Sequence, residues 1–381
     1  MTPESPLPTA PDSHDAASLR TAPAFHALRV DSIRQLTDDA MEIGFAVPED
    51  LQHAFSHTHG QHLTLRLQID GEELRRSYSI TSAIGDTHLR IAVKRVPDGR
   101  SSVWLTTQLK VGDTLDVMTP AGRFSAPLDP NAARHWLLIA AGSGITPMVS
   151  IARSVLAGEP ASRVTLLYGN RDTASVMFQR ELDDLKSTYM TRFSLHHFLS
   201  RGRRNLELFD GRLDGQRLER VCSSLVPADG VDLAFVCGPE EMTLDVLGTL
   251  TKLGVPRDHI HLELFGSADA RGRAAARSTN APTHTDADVV AQATVRLHGV
   301  ERTIDVRSGE RILDAALRQG MDVPYACSGG VCATCRAHVD SGSVDMDTNF
   351  ALEQRELDAG FILTCQAHPT SDELRIDYDR A

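Results

Sequence analysis

Residues 24–128 show the alternation of apolar and polar positions that is typical of short β-strands. The clearest case runs from Leu63 to Ile69, where every second residue is Leu or Ile. Further strand-like runs, broken by Gly, Asp and Pro, read MEIGFAV, RSYSI, LRIAVKRV and DTLDVMT. Several short strands at this spacing predict a small antiparallel β-barrel over residues 24–128.

Near residue 135 the pattern changes to apolar strands that alternate with helices. HWLLIAA is continuously apolar, as expected of a parallel strand covered on both faces, and VTLLYGN and DLAFVCG repeat it. Apolar residues between and after these runs recur at helical spacing: Phe178, Leu182, Leu185 and Tyr189, then Met242, Val246 and Leu250. The pattern predicts an α/β domain with a doubly wound sheet over residues 129–266.

Two segments lack the apolar residues that a core needs. Residues 267–288 contain no Leu, Ile, Val, Phe or Met, so they cannot bury enough apolar surface to offset the entropy of ordering. We expect a flexible linker over residues 267–291. Residues 1–23 are rich in Pro, Ser and Ala, which predicts a disordered tail.

The last segment, residues 292–381, has the pattern of a small α+β domain. Two strand-like runs, ATVRLHG and RTIDV, precede a short helix that ends at Gly320. One face of that helix is apolar: Ile312, Leu313, Ala316 and Leu317. Residues 291–381 carry nine Arg, no Lys and fifteen acidic residues. This acidity indicates either a solvated face or a docking surface for a basic partner.

The whole chain of 381 residues has a formal net charge of −12. Such a balance argues against non-specific binding to nucleic acid or to an anionic membrane, since both require a cationic surface. No apolar run approaches the roughly 20 residues that span a bilayer. The N-terminus has neither a basic start nor an apolar stretch, so a secretory signal is not expected and we predict a cytoplasmic protein.

Four of the six cysteines are clustered near the C-terminus and carry the strongest chemical signal. Cys327, Cys332 and Cys335 follow C-x4-C-x2-C spacing, and Cys365 comes thirty residues later. This is the spacing of plant-type [2Fe–2S] ferredoxins. A tetrahedral zinc site is the alternative, but structural zinc usually uses two short C-x2-4-C pairs, and only one pair here fits well. The spacing therefore predicts an iron–sulfur cluster.

Two further motifs favour nucleotide cofactors. Arg76-Ser77-Tyr78-Ser79 ends a predicted strand and offers a flavin a cation, an aromatic ring and a hydroxyl. Lys94 and the turn Gly99-Arg100-Ser101-Ser102 follow, and the turn leads into a helix whose first N–H groups suit a phosphate. After the first parallel strand comes AGSGITP, which allows close approach to a pyrophosphate but departs from G-x-G-x-x-G at Pro147.

These motifs, in this order, resemble the ferredoxin–NADP reductase superfamily: RSYS, GSGITP and then Cys237-Gly238-Pro239. With the cysteine-rich domain, the chain from about residue 24 to 381 resembles the reductase components of bacterial oxygenases. The stretches IAAGSGITPM, LYGNRD and ILDAALRQG are similar to those of phenylacetyl-CoA epoxidase reductases. The reductases of Rieske-type oxygenases, such as 3-ketosteroid 9α-hydroxylase, share the domain order and are the alternative.

The resemblance implies an FAD-binding barrel, an NAD(P)-binding doubly wound domain and a β-grasp-like [2Fe–2S] domain. It implies FAD contacts for Arg76 (phosphate), Tyr78 (stacking), Ser79 (near N5), Lys94, Gly99, Ser102 and Phe265. It implies nicotinamide-nucleotide contacts for Gly142, Gly144, Thr146, Ser200, Arg201, Cys237, Gly238 and Pro239. The residues expected to be catalytic are Ser79, Cys237 and Glu263, and the expected metal ligands are Cys327, Cys332, Cys335 and Cys365.

The implied activity is an oxidoreductase that takes a hydride from NAD(P)H onto FAD. Single electrons then pass to the cluster and on to the terminal oxygenase subunits of a multicomponent system. Arg201 is a suitable partner for a 2′-phosphate, which favours NADPH, with NADH as the alternative. A sensing module with a degenerate flavin half and a stand-alone diaphorase are the rival hypotheses. Ser328 stands where many plant-type ferredoxins have Arg, so the sequence does not set the potential of the cluster.

Overall fold

A computed structural model describes residues 23–201, 207–265 and 289–380 of the chain. The predicted tail, except residue 23, and the predicted linker as far as residue 288 lie outside the described residues. A strand begins at Val289, so the last three residues assigned to the linker belong to it. Within the described ranges, no helix has the length and apolar character needed to span a bilayer.

The N-terminal unit is a six-stranded antiparallel sheet in the order β4-β3-β6-β1-β2-β5. The strands are β1 Phe25–Thr37, β2 Ala40–Ala46, β3 His62–Ile69, β4 Glu72–Ser79, β5 Leu89–Lys94 and β6 Thr114–Met118; α1 is Arg100–Thr107. Ile80, directly after β4, forms a bridge to Ile91 of β5, so the two edge strands meet and the sheet closes. The alternating residues between Leu63 and Ile69 are buried inside it, which confirms the predicted barrel.

The second unit is a five-stranded parallel sheet in the order β11-β10-β7-β8-β9. Its elements are β7 His135–Ala141, α2 Ile145–Gly158, β8 Arg163–Asn170, α3 Gln179–Thr188, β9 Phe193–Leu199, α4 Gly215–Ser224, β10 Leu233–Gly238, α5 Glu240–Lys252 and β11 Ile260–Leu264. Trp136 and Leu138 of β7 pack in one core with α2 and α3, while Leu137 and Ile139 pack in a second core with α4 and α5. Burial on both faces explains the continuous apolar run and confirms the doubly wound fold.

The third unit is a five-stranded mixed sheet in the order β13-β12-β18-β14-β16, with a separate pair of strands, β15 and β17. Its elements are β12 Val289–Leu297, β13 Val300–Arg307, α6 Ile312–Arg318, β14 Arg336–Ser341, β15 Val344–Met346, α7 Gln354–Asp358, β16 Phe361–Leu363, β17 Ala367–Pro369 and β18 Glu373–Asp377. The first and last strands, β12 and β18, pair in parallel. The apolar face of α6 packs on this sheet, as the sequence pattern predicts.

The barrel contacts both of the other units. Helix α2 of the parallel sheet approaches the segment after β4, where Ser150 Oγ donates to the Ser82 carbonyl at 2.6 Å. The Ser154 hydroxyl accepts from the backbone N–H of Ile84 at 3.0 Å. On β3, His62 Nε2 lies 3.2 Å from Thr334 Oγ1 of the cysteine loop. The barrel therefore contacts both the parallel sheet and the cysteine loop.

Candidate active site

The three residues expected to be catalytic meet where the barrel joins the parallel sheet. Strands β10 and β11 pair in parallel register, which sets Cys237 directly beside Glu263. Ser79, at the end of β4, donates from its hydroxyl to Glu263 Oε2 at 3.4 Å. Residues about 160 and 180 positions apart in the chain are thus brought together by a sheet edge and a barrel edge.

The group formed by Ser79, Cys237 and Glu263 carries little charge at neutral pH. Burial of its carboxyl group raises the pKa of Glu263 to about 8, although the hydrogen bond from Ser79 acts in the opposite direction. Burial, and then the nearby Glu263, hold the pKa of the Cys237 thiol well above its usual value. Both groups are therefore protonated near pH 7. A neutral, partly desolvated surface of this kind suits the faces and edges of aromatic ring systems better than it suits phosphates.

Strand β4 presents the flavin motif as expected of an extended segment. Arg76 and Tyr78 are two residues apart, so they lie on the same face of the strand. Arg76 is partly exposed, and its Nη1 donates to the carbonyl oxygen of Arg75 at 2.7 Å. Tyr78 packs against the barrel core and remains partly exposed.

The two serines at the start of α1 differ in their hydrogen bonding. The hydroxyl of Ser102, the residue expected to bind pyrophosphate, accepts from Val96 N at 3.1 Å and donates to the Gly99 carbonyl at 3.1 Å. It therefore builds the turn. The buried hydroxyl of Ser101 has no hydrogen-bond partner within the described parts of the chain. It lies in the first turn of α1, where backbone N–H groups are free for an anion.

Ser101 was not singled out by sequence reasoning, although it stands beside Ser102 in the same motif. The Gly99 position is close-packed, since a Cβ there would lie 2.6 Å from Ser102 Oγ. Together the buried free hydroxyl and the glycine turn form a cradle that fits a pyrophosphate, which is the group the barrel would need to hold in FAD.

Lys94 lies at the seam between the barrel and the parallel sheet. Its ammonium group is 3.6 Å from Asp39, and the same carboxylate is 3.4 Å from Arg171, which directly follows β8. The lysine expected to contact a cofactor phosphate is thus paired with a carboxylate in this structure.

The two glycines after β7 have separate structural roles. Gly142 has φ of 55°, in the left-handed region that favours glycine, and a Cβ there would meet no atom within 4 Å among the described residues. At Gly144 a Cβ would lie 2.0 Å from the carbonyl oxygen of Cys237. Gly144 therefore lets the loop pack directly on β10, while Gly142 leaves open space at the carboxyl edge of the sheet.

The other predicted nucleotide residues lie near the same edge or in the segments that follow it. Beyond β8 and β9, the backbone N–H groups of Ser200 and Arg201 donate to the carbonyl oxygens of Asn170 and Arg171 at 2.9 and 2.7 Å. The parallel pairing of the two segments therefore continues past the ends of the strands.

The remaining predicted residues lie in the segments that follow the strands. Thr146 Oγ1 donates to the Ser143 carbonyl at 3.0 Å. Gly238 ends β10, Pro239 precedes α5, and Phe265 is exposed at the end of a described range. The carboxyl edge of an open parallel sheet is the usual ligand site of this fold.

The four clustered cysteines converge although Cys365 is distant in sequence. Three of them lie on the loop between α6 and β14, where Ser328, Gly330 and Ala333 have φ of 52°, 75° and 53°. This winding turns backbone N–H groups inward, and Gly329 N donates to Cys327 Sγ at 3.3 Å. Cys335 and Cys365 are only 3% and 2% exposed. A thiol-lined, amide-lined pocket of this kind fits a metal–sulfur cluster.

The thiol electrostatics point to a cationic occupant. Hydrogen bonds from the Cys332 and Cys365 thiols, with backbone N–H groups, hold the pKa of Cys327 well below its usual value. The pKa values of Cys332 and Cys365 are raised, chiefly because their thiols donate to Cys327 and because they are buried. The Cys327 thiolate thus makes deprotonation of the Cys332 and Cys365 thiols less favourable. Positive charge beside them, such as iron ions supply, would favour the thiolate forms of Cys332 and Cys365.

Residues around Cys365 that the sequence analysis did not identify hold the pocket together. Gln366 Nε2 donates to the Ser328 carbonyl at 3.0 Å and contacts Cys365 Sγ at 3.5 Å. Thr364 Oγ1 donates to the Cys335 carbonyl at 3.0 Å and accepts from Tyr378 Oη at 2.8 Å. The sequence offers one indication for two of these residues: Thr364 and Gln366 flank Cys365. Nothing in the local sequence indicates the contact of Tyr378.

A barrel with a flavin motif, a doubly wound sheet and a four-cysteine loop define an iron–sulfur flavoprotein reductase. Three family models match this order: an oxidoreductase FAD-binding domain at residues 27–126, an oxidoreductase NAD-binding domain at 138–247 and a 2Fe-2S iron–sulfur cluster binding domain at 295–370. The chain belongs to the family of NAD(P)H-dependent oxidoreductases that serve as reductase components of multicomponent oxygenases.

Individual relatives cover nearly the whole chain. One component of the 1,2-phenylacetyl-CoA epoxidase of Escherichia coli (strain K12) is 44% identical over 93% of this chain and 98% of its own length. The ferredoxin reductase component of 3-ketosteroid-9-alpha-monooxygenase from Rhodococcus rhodochrous is 35% identical over 92% and 96%. Among solved structures, phthalate dioxygenase reductase matches with a TM-score of 0.55 and 27% identity, covering 93% of this chain and 98% of that one.

Proposed function

We propose that this chain is the reductase of a phenylacetyl-CoA epoxidase-type oxygenase and acts in the cytoplasm. It would take electrons from NADPH, pass them through FAD and a [2Fe–2S] cluster, and deliver them to the oxygenase subunits. The observation that carries the proposal is the 44% identity to the epoxidase component over nearly the full length of both chains. When bound, FAD would accept one hydride, which carries two electrons, and the cluster would pass electrons on one at a time.

On the flavin side, the contacts described above support one role for each residue. Arg76 and the hydroxyl of Ser101 would hold the FAD phosphates, and Tyr78 would lie against the isoalloxazine ring. Ser79 and Glu263, which are hydrogen-bonded to each other, would lie at the edge of the isoalloxazine ring. Since burial keeps Glu263 protonated near neutral pH, the pair can donate as well as accept a hydrogen bond.

On the nucleotide side, Gly142 leaves space for the pyrophosphate, and Cys237 would lie beside the nicotinamide. A protonated, fully buried thiol supplies a small, weakly polar surface that excludes water without attacking the ring. Arg201, exposed at the carboxyl edge of the sheet, would pair with the 2′-phosphate of NADPH. In the ferredoxin unit, Cys327, Cys332, Cys335 and Cys365 would ligate the two irons.

The first experiment is an anaerobic titration of the purified protein with NADPH and, separately, with NADH, followed by visible absorbance. We expect the flavin band to bleach first and the broad iron–sulfur bands to follow, with NADPH the better donor. A flavin that bleaches while the iron–sulfur bands persist with both donors would contradict the internal electron route.

The partner is tested by reconstitution with purified oxygenase subunits. We expect NADPH-dependent epoxidation of phenylacetyl-CoA when the reductase is combined with phenylacetyl-CoA epoxidase oxygenase subunits. In a second, matched experiment the reductase is combined with the oxygenase of a 3-ketosteroid 9α-hydroxylase. This oxygenase is the second candidate because the reductase of such a system is 35% identical to this chain. Turnover only in the second arm would overturn the assignment of the partner.

A further inference from the structure

The barrel holds the cysteine loop through side chains that have no part in the proposed binding of FAD. Arg75 lies next to Arg76 on β4, so its side chain is on the opposite face of the strand. It is only 6% exposed, and its Nη2 donates to Asp322 Oδ1 at 2.5 Å. Its Nη1 donates to the Val323 carbonyl at 3.3 Å, and its guanidinium carbon lies 4.3 Å from the ring centre of Tyr325. The strand thus holds the segment that leads directly into Cys327.

A second contact reaches the other end of the loop. His62 is buried, and its Nε2 lies 3.2 Å from the hydroxyl of Thr334, the residue that precedes the ligand Cys335. Across the β3–β4 pair, His62 is the register partner of Ser79, which contacts Glu263. One strand pair of the barrel therefore contacts both the proposed flavin edge and the cysteine loop.

A third contact reaches the residue after the last loop cysteine indirectly, through Glu356 of helix α7. Arg123 of the barrel forms an ion pair with Glu356, which is 5% exposed. The same carboxylate lies 3.1 Å from Arg336 Nε, and Arg336 directly follows Cys335. The chain is therefore held to the barrel before, within and after the run of three ligands.

We propose that Arg75, His62 and Arg123 form a barrel clasp that positions the cluster for electron transfer from the flavin. These are positioning residues: Arg75 and His62 touch the cysteine loop and the segment that leads into it, Arg123 acts through Glu356, and none of them touches the reacting atoms. The inference rests on the proposed function and adds the contacts that set the internal transfer distance. Electron tunnelling falls steeply with distance, so even a small displacement of the loop slows the step.

The clasp is made mainly of charged and polar contacts. Asp322 is also 3.3 Å from Arg66, so two barrel arginines face one carboxylate that is 62% exposed. Polar interfaces between domains allow relative motion, and partly exposed ion pairs weaken in salt. The clasp therefore predicts that transfer from flavin to cluster slows as salt rises, while flavin reduction itself does not depend on the clasp.

The test uses the full-length protein with FAD and cluster bound, mixed anaerobically with NADPH in a stopped-flow instrument. The variants are Asp322→Lys, which places like charges together, and Asp322→Asn, which removes the charge and keeps the shape. The control is Asp372→Lys, the same reversal at an exposed residue of the ferredoxin unit, before β18. Hydrogen exchange of residues 62–66 and 72–79 provides a readout that does not depend on activity.

We expect cluster reduction to slow about tenfold in Asp322→Lys and about threefold in Asp322→Asn. Flavin reduction should stay within a factor of about two of the wild-type value. Exchange in the barrel strands should rise in both variants, although the substitution is in the other unit. The control should match the wild type in all three measurements.

Two results separate failure of the clasp from failure of the proposed function. If the wild-type protein reduces its cluster with NADPH and both Asp322 variants match Asp372→Lys in rates and exchange, the clasp is wrong and the reductase assignment stands. If NADPH reduces neither cofactor in the wild-type protein, the proposed function fails first.

Discussion

The thiol of Cys237 and the thiols of the cluster loop lie in opposite electrostatic surroundings. Cys237 sits on a strand of the parallel sheet, fully buried beside a protonated carboxyl group, and is kept as a neutral thiol. Cys327 sits on a loop wound so that amide N–H groups and neighbouring thiols point at its sulfur, which stabilises a thiolate. The same side chain is thus held as a neutral thiol in one region and favoured as a thiolate in the other, because backbone geometry decides which donors reach it.

The two regions are also built differently. The nucleotide edge is built by close packing of backbone on backbone, as where Gly144 meets the carbonyl of Cys237. The cluster loop is built by hydrogen bonds from side chains such as Gln366 and Thr364. We therefore expect steric changes to damage the first region most and loss of donors or ligands to damage the second.

The largest effect is expected from Cys365→Ser. Loss of a ligand should remove the iron–sulfur absorbance and lower NADPH-dependent cytochrome c reduction at least about 100-fold, since even outer contacts of metal sites cost about 10–100-fold. Ferricyanide reduction, which takes electrons from the flavin, should persist. Cys237→Ser makes the same exchange in the other region and should leave the iron–sulfur bands intact. Loss of those bands in both variants would remove the distinction between the two thiol environments.

The next effect tests close packing on the nucleotide side. In Gly144→Ala a methyl group would have to fit 2.0 Å from a backbone oxygen, so we expect the free energy of unfolding to fall by about 3 kcal/mol. The control is Gly248→Ala in α5, where a Cβ meets no atom within 4 Å among the described residues. That variant should gain up to about 1 kcal/mol from helix propensity. Equal denaturation midpoints for the two variants would contradict the packing role.

A pH experiment tests the neutral edge. Glu263 has a pKa of about 8 in the folded protein and an ordinary value of 4.5. Its favourable contribution to folding is therefore complete below about pH 4.5 and is lost as the pH rises to about 8. Glu263→Gln mimics the protonated form and should flatten the fall in stability between those values. We expect flavin reduction by the wild type to drop about tenfold one pH unit above the pKa, where about 90% of the carboxyl is ionised, while the variant stays level. A parallel pH profile for both proteins would refute this.

The smallest effect is expected from an exposed charge. Arg201→Ala should weaken NADPH binding about fivefold, as expected for a partly solvated ion pair, and leave NADH binding unchanged. Difference spectroscopy with the two oxidised nucleotides measures both constants. Equal losses for the two nucleotides would show that Arg201 does not contact the 2′-phosphate.

Much of the fold followed from local pattern. The alternation from Leu63 to Ile69 indicated a barrel strand, and the run HWLLIAA indicated a strand buried on both faces, because each pattern reports which side of a strand meets a core. Strands β9 and β11 were not predicted, since FSLHHFL and IHLEL mix histidine or glutamate with apolar residues and their central residues are only partly buried. The contact of Ser102 with a phosphate stays a prediction, and local sequence did not show that its hydroxyl also bonds within the turn.

The sequence by itself determined the cofactor classes, because cysteine spacing, glycine turns and the RSYS motif are local arrangements of the atoms that such cofactors require. Only the tertiary structure decided which hydroxyl at α1 is free, that Ser79 meets Glu263, and that Arg75 and His62 hold the cysteine loop. Those facts depend on contacts between residues up to 272 positions apart, and a linear pattern carries no information about which buried donors find partners when separate sheets pack together.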